Sequence, residues 1–129
     1  HDMKAMVSFY ALDADYVSSD LKIVRGRDQI EKLFEAEHAT VFKQSKLSFA
    51  IDSVWLVTEN VALVDGSYTT TGVKGADGKD LPTSTGHLTG LLLKERDRWW
   101  VVASRAMLPI PPTWRADFEK LTKDKAKQK

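Results

Sequence analysis

The stretch "RWWVVASRAML", Arg98 to Leu108, decides how the chain is read. From Trp99 onward it is almost wholly apolar or small, with one full charge, Arg105, inside it. That pattern predicts a strand. Pro109, Pro111 and Pro112 end it, because proline cannot donate to a sheet ladder. The preceding "TGHLTGLLLKE" pairs with it as the last hairpin, turning near Arg96–Arg98.

Working back from there, "VALVDGSYTTTGV" and "KLSFAIDSVWLV" are two further strands joined at "TEN". The loop "KGADGKDLPTS" carries an Asp77-Gly78 turn signal. These segments predict a four-strand antiparallel meander. Earlier, Gly26 and Asp28 open a helix whose apolar stripe is Ile30, Leu33 and Phe34, then Val41 and Phe42. Before it, short strands near Tyr16–Ser18 and Lys22–Val24 flank a polar turn. His1 to Leu12 has the spacing of a helix. Thr113 caps an expected final helix with Trp114, Phe118 and Leu121 on one face. Helices first and long strands later predict an α+β fold, with helices packed on one face of a curved sheet.

The chain has 129 residues, enough for one domain with a single core. Its formal charge of +1 argues against a nucleic-acid surface covering the molecule. Charge gathers at the end: residues 113–129 hold six basic side chains against three acidic ones. They read as a C-terminal helix and solvated basic tail beyond a domain of residues 1–112. There is no cysteine, which removes disulfides, thiol nucleophiles and thiolate zinc sites. No apolar run approaches the roughly 20 residues of a membrane span, so no membrane partner is expected. The opening lacks an initiator Met, as a trimmed product would, which leaves the compartment open between cytoplasm and export.

The segments "HDMKAMVSFYALDADYV", "VRGRDQIEKLFEAEH", "FKQSKLSF", "ENVALVDGSYT" and "DRWWVVASRAMLP" together resemble the nuclear-transport-factor-2-like superfamily. The resemblance is to its SnoaL-like branch, the SgcJ/EcaC-type small proteins, over about residues 1–112. It implies a cone: a strongly curved, mostly antiparallel sheet wrapped around N-terminal helices and enclosing one pocket. It further implies a homodimer formed through the sheet. Where relatives carry Asn-Thr after the position of Arg105, this chain has Ala106 and Met107.

Arg105 needs an anionic partner, because an unpaired buried charge is costly. It would clamp a ligand carboxylate or enolate-like oxygen, or make a structural ion pair or dimer contact. Asp65 falls on the apolar face if the hairpin pairs through "TEN". There it is a candidate general base, or a partner for Arg105. A one-residue slip of register would turn it to solvent. His38 sits on the apolar stripe of the second helix, either as a structural histidine or as a catalytic or ligand-donating one. His87 is a candidate ligand contact, and Tyr16, Trp55 and Tyr68 are candidate pocket walls.

Glu35 and His38 have metal-pair spacing, but no second pair exists, so no metal site is expected. No Gly-rich phosphate motif or flavin motif is present, and no cofactor is expected. The expected function is a pocket for a small, largely apolar carbonyl or carboxylate compound, with cofactor-free proton transfer of the isomerase or cyclase kind. The alternative is a ligand-binding or dimerisation module without turnover.

Overall fold

The computed structural model describes residues 2–127. His1, Gln128 and Lys129, the first residue of the expected His1–Leu12 helix and the last two of the tail, lie outside the described residues. The elements are α1 (Met3–Val7), β1 (Tyr10–Val17), β2 (Ile23–Arg25), α2 (Arg27–Ala39) and β3 (Lys46–Thr58). They continue as β4 (Val61–Thr71), β5 (Ser84–Glu95), β6 (Arg98–Met107) and α3 (Pro112–Lys127). The fold is α+β. A six-stranded sheet runs in the order β2-β1-β6-β5-β4-β3.

The expected meander is present, with β3 to β6 antiparallel in sequence order. The first strand instead pairs with the last in parallel, so that Tyr16 lies opposite Ser104 and Val17 opposite Arg105. Such a pairing needs a long crossover, which α2 and the meander supply. The helix expected over His1–Leu12 is shorter. It ends at Val7, and Tyr10–Leu12 already belong to β1.

α2 lays Ile30 and Phe34, one turn apart, onto Met3, Val7, Ala14 and Tyr16, and these six form the buried core. Each large side chain so buried stabilises the fold by about 1.5–3 kcal/mol. The ring of Tyr16 meets Phe34 edge to face, with centroids 5.3 Å apart. At the start of α2, Arg27 Nε donates to the Tyr10 carbonyl at 2.8 Å while its guanidinium stacks 5.4 Å above the Trp100 ring. That side chain ties the helix to both β1 and β6. α2 stops at Thr40, whose hydroxyl donates back to the Ala36 carbonyl. Val41 and Phe42 therefore follow the helix rather than extend its stripe.

α3 has no substantial packing against any other element among the described residues. Its stripe of Trp114, Phe118 and Leu121 is exposed. Among the described residues no helix is long and apolar enough to cross a membrane.

Candidate functional site

One face of the sheet, α2 and the β1–β2 turn line a cavity of about 570 Å³. This is the usual range for a site that holds one small molecule. Its sheet wall is made of cross-strand pairs: Leu47 with Thr70, Phe49 with Tyr68, and Leu88 with Ala106. α2 and the segment after it add Phe34, Glu37, His38, Val41 and Phe42. The β1–β2 turn completes the lining with Ser18, Ser19, Asp20 and Lys22.

That turn is held by its own side chains. Ser18 is buried, accepts from the Lys22 amide at 3.0 Å, and donates its hydroxyl to the Asp20 carboxylate. The Lys22 ammonium sits 3.4 Å from the other Asp20 oxygen. The Ser18 hydrogen bond first, then the Lys22 charge, hold the Asp20 carboxyl below its ordinary range. Burial pushes Glu37 the other way, toward holding its proton. The same effect raises the phenols of Tyr16 and Tyr68 and lowers His38, so that all three favour their neutral forms. His38 also packs at a tilt against Phe42, with centroids 5.9 Å apart.

Three of the residues singled out in the sequence, Tyr16, His38 and Tyr68, line this cavity. Asp65, His87, Arg105 and Trp55 do not. Thr89 stands opposite both Asp65 and Arg105, which puts the three on one face, and the expectation for Asp65 failed by one extra residue in β3. Trp55 pairs with Leu63 and Ser53 with Asp65, as a simple hairpin requires. Then Ile51 meets Gly66, which leaves Asp52 as a bulge, and from there Phe49 meets Tyr68. The expected register put Phe49, Ile51 and Asp65 on one face. The bulge moves Phe49 to the cavity side and leaves Asp65 on the opposite one. Gly66 permits it: a Cβ there would stand 2.7 Å from the Ala50 carbonyl oxygen.

On the far face Asp65 is held through one carboxyl oxygen. Thr89, directly across on β5, donates to its Oδ1 at 2.7 Å, and His87 Nε2 lies 2.9 Å from the same oxygen. These contacts, Thr89 first, hold the carboxyl below its ordinary value, the reverse of what a general base needs. Arg105 meets Asp15 rather than Asp65, with Nη1 2.7 Å from the Asp15 Oδ1. The same Nη1 donates to the Ser104 carbonyl at 2.9 Å and the Asp15 carbonyl at 3.3 Å. Its charge is thus answered on the outer face, and its side chain stays 44% exposed. Trp55, on that face too, is 61% exposed.

Sequence reading missed Glu37, Asp20 and Lys22. Glu37 stands beside His38 on a helix already read as amphipathic, but the end of the stripe hid which side it takes. Asp20 and Lys22 look like ordinary turn residues until parallel pairing of β1 with β6 carries their turn to the cavity. Among the described residues no group of three or more His, Asp or Glu is placed to hold a metal ion.

No family model and no curated protein matches the chain. Solved structures do. An uncharacterized protein with a cystatin-like fold from Caulobacter vibrioides is similar at a TM-score of 0.75 and 21% identity, over 90% of this chain and 82% of that one. An NTF-2 like protein of unknown function from Shewanella oneidensis gives 0.64 and 21%, over 82% and 83% of the two chains. A ketosteroid isomerase-like protein from Erwinia carotovora gives 0.71 and 18%, over 85% and 83%. The chain therefore has the cystatin-like, nuclear-transport-factor-2-like fold that its sequence resembles. At such identities the likeness speaks for the fold alone.

Proposed function

We propose that the protein binds one small, predominantly apolar molecule in the cavity between α2 and the sheet, and moves a proton on it without a cofactor. The observation that carries this reading is the placement of His38, Tyr16 and Tyr68 in a wall shared with Phe34, Val41, Phe42, Phe49 and Leu88. Burial keeps His38 neutral and able to accept a proton, and keeps both phenols as neutral donors for a developing oxyanion. The reaction class is proton abstraction beside a carbonyl. The similarity to a ketosteroid isomerase-like protein agrees with that class without assigning a substrate. A carboxylate ligand fits less well, because Arg105 and His87 face away from the cavity.

The test is exchange of α-protons for deuterium in small cyclic ketones, followed by NMR with the full chain. Exchange that falls about 10²–10⁴-fold in His38→Gln supports the reading. Exchange at the solvent rate with the parent protein removes the catalytic role.

A second reading, an association module without turnover, is favoured by the outer face of the sheet. Trp55, Leu91 and Met107 leave apolar surface there beside the Asp65–His87–Thr89 and Asp15–Arg105 clusters. Pairing of two sheets across this face is the proposed homodimer. Sedimentation velocity of the parent and of Trp55→Arg tests it: a dimer that the substitution dissociates supports it, and a monomeric parent refutes it.

A further inference from the structure

Four residues that line the cavity carry or can carry charge: Asp20, Lys22, Glu37 and His38. Asp20 is already answered by Lys22 and by the Ser18 hydroxyl. Glu37 is not. Its carboxylate has no hydrogen bond or ion pair with another side chain among the described residues. It is half-buried on the last turns of α2, and burial already disfavours its charge. A carboxylate in that position gains from a cation brought to it and loses from an anion.

The walls around it suit the same occupant. Tyr16, Phe34, Phe42, Phe49 and Tyr68 present rings to the cavity. Aromatic faces attract an ammonium group within about 6 Å through their quadrupoles. Lys22 is held on Asp20, and Arg105 lies on the other side of the sheet, paired with Asp15. The cavity is lined by two carboxylates, Asp20 and Glu37, against one ammonium, Lys22, which acts on Glu37 through its charge without an ion pair.

We propose that the ligand of this cavity is an apolar molecule bearing a protonated amine, with its ammonium against the Glu37 carboxylate and its carbon body among the aromatic walls. This rests on the reading of the cavity as a small-molecule site and narrows it to a substrate class. It leaves His38 as the proton acceptor, because Glu37 is committed to the charge of the ligand.

Three probes with one apolar body separate the possibilities: 2-(2-naphthyl)ethylamine, 2-(2-naphthyl)ethanol and 2-naphthylacetate. Their binding to the full chain is measured by isothermal titration calorimetry at neutral pH. The amine is expected to bind at least about 10-fold more tightly than the alcohol, and the carboxylate most weakly. In Glu37→Gln the advantage of the amine over the alcohol disappears, while the affinity of the alcohol stays within about 2-fold. Glu37→Asp, which keeps the charge on a shorter arm, retains part of the preference and guards against a folding defect in the first variant. Equal affinity for all three probes overturns the amine assignment and leaves the cavity reading standing. A preference that survives Glu37→Gln and is lost in Asp20→Asn overturns the placement of the ammonium against Glu37. If no probe binds at all, both readings are overturned.

Discussion

The Tyr68 ring lies over Gly86, its partner on β5, and its hydroxyl donates to the Met107 carbonyl at 3.4 Å. A Cβ on residue 86 would collide with Cζ and Oη of Tyr68 and would stand 2.6 Å from the Met107 carbonyl oxygen. The absence of a side chain on β5 is thus what seats an aromatic wall of the cavity on β4.

Gly86→Ala is therefore expected to push Tyr68 off the sheet. Overpacking of this kind costs about 1–3 kcal/mol, visible as a lower midpoint in chemical denaturation. Ligand affinity should fall further than in Tyr68→Phe, which keeps the ring in place. A variant with unchanged stability and binding would show that the ring does not need this gap.

Asp65→Asn separates the two faces of the sheet. Asp65 is bonded to Thr89 and His87 away from the cavity, so ligand affinity and proton exchange should match the parent at every pH. The melting temperature should drop slightly, and only above the range in which the parent carboxyl ionises. The sign follows from its lowered value in the fold: the stabilisation is present above the unfolded carboxylate range and is lost as pH falls through the folded one. A large loss of turnover at constant stability would return Asp65 to the site.

Glu37 runs in the opposite direction. Burial raises its folded value, so the unfolded chain gives up the proton first and stability falls as pH rises through that interval. Asp20, Lys22 and Tyr16 face it, with Lys22 opposing the shift and Asp20 reinforcing it. Glu37→Gln should melt at the same temperature as the parent below about pH 4. It should melt higher than the parent at pH 7, in the absence of ligand. Parallel pH profiles for the two proteins would refute the account.

Removal of residues 113–129 tests whether α3 belongs to the domain. Its apolar stripe is exposed and it packs substantially on no other element among the described residues. Truncation after Pro112 should change unfolding free energy by less than about 0.5 kcal/mol. A loss of several kcal/mol would mean that α3 docks on the body in solution.

Much of the architecture was legible locally. The apolar runs in "RWWVVASRAML" and "TGHLTGLLLKE", the prolines after them and the Ile30–Leu33–Phe34 stripe each report a structure made by neighbours in sequence. The site was legible only in part. His38 was found because it interrupts an apolar stripe, and Tyr16 and Tyr68 because an aromatic ring with a polar tip suits a pocket wall. Glu37, Asp20 and Lys22 were missed because charge at a helix end or in a turn has the same local pattern whether it meets solvent or a cavity.

By itself, then, the sequence determined the elements, their order and the turns, because periodicity, proline and turn residues act over a few positions. Only the tertiary structure decided which face each strand presents. The bulge at Asp52 depends on Gly66 fourteen residues away, and the parallel contact of β1 with β6 joins opposite ends of the domain. Side chains on a strand alternate with a period of two, so one unpaired residue exchanges the faces beyond it. That exchange moved Asp65 out of the cavity and Phe49 into it. The arginine inside "RWWVVASRAML" likewise found its partner, Asp15, on a strand ninety residues earlier.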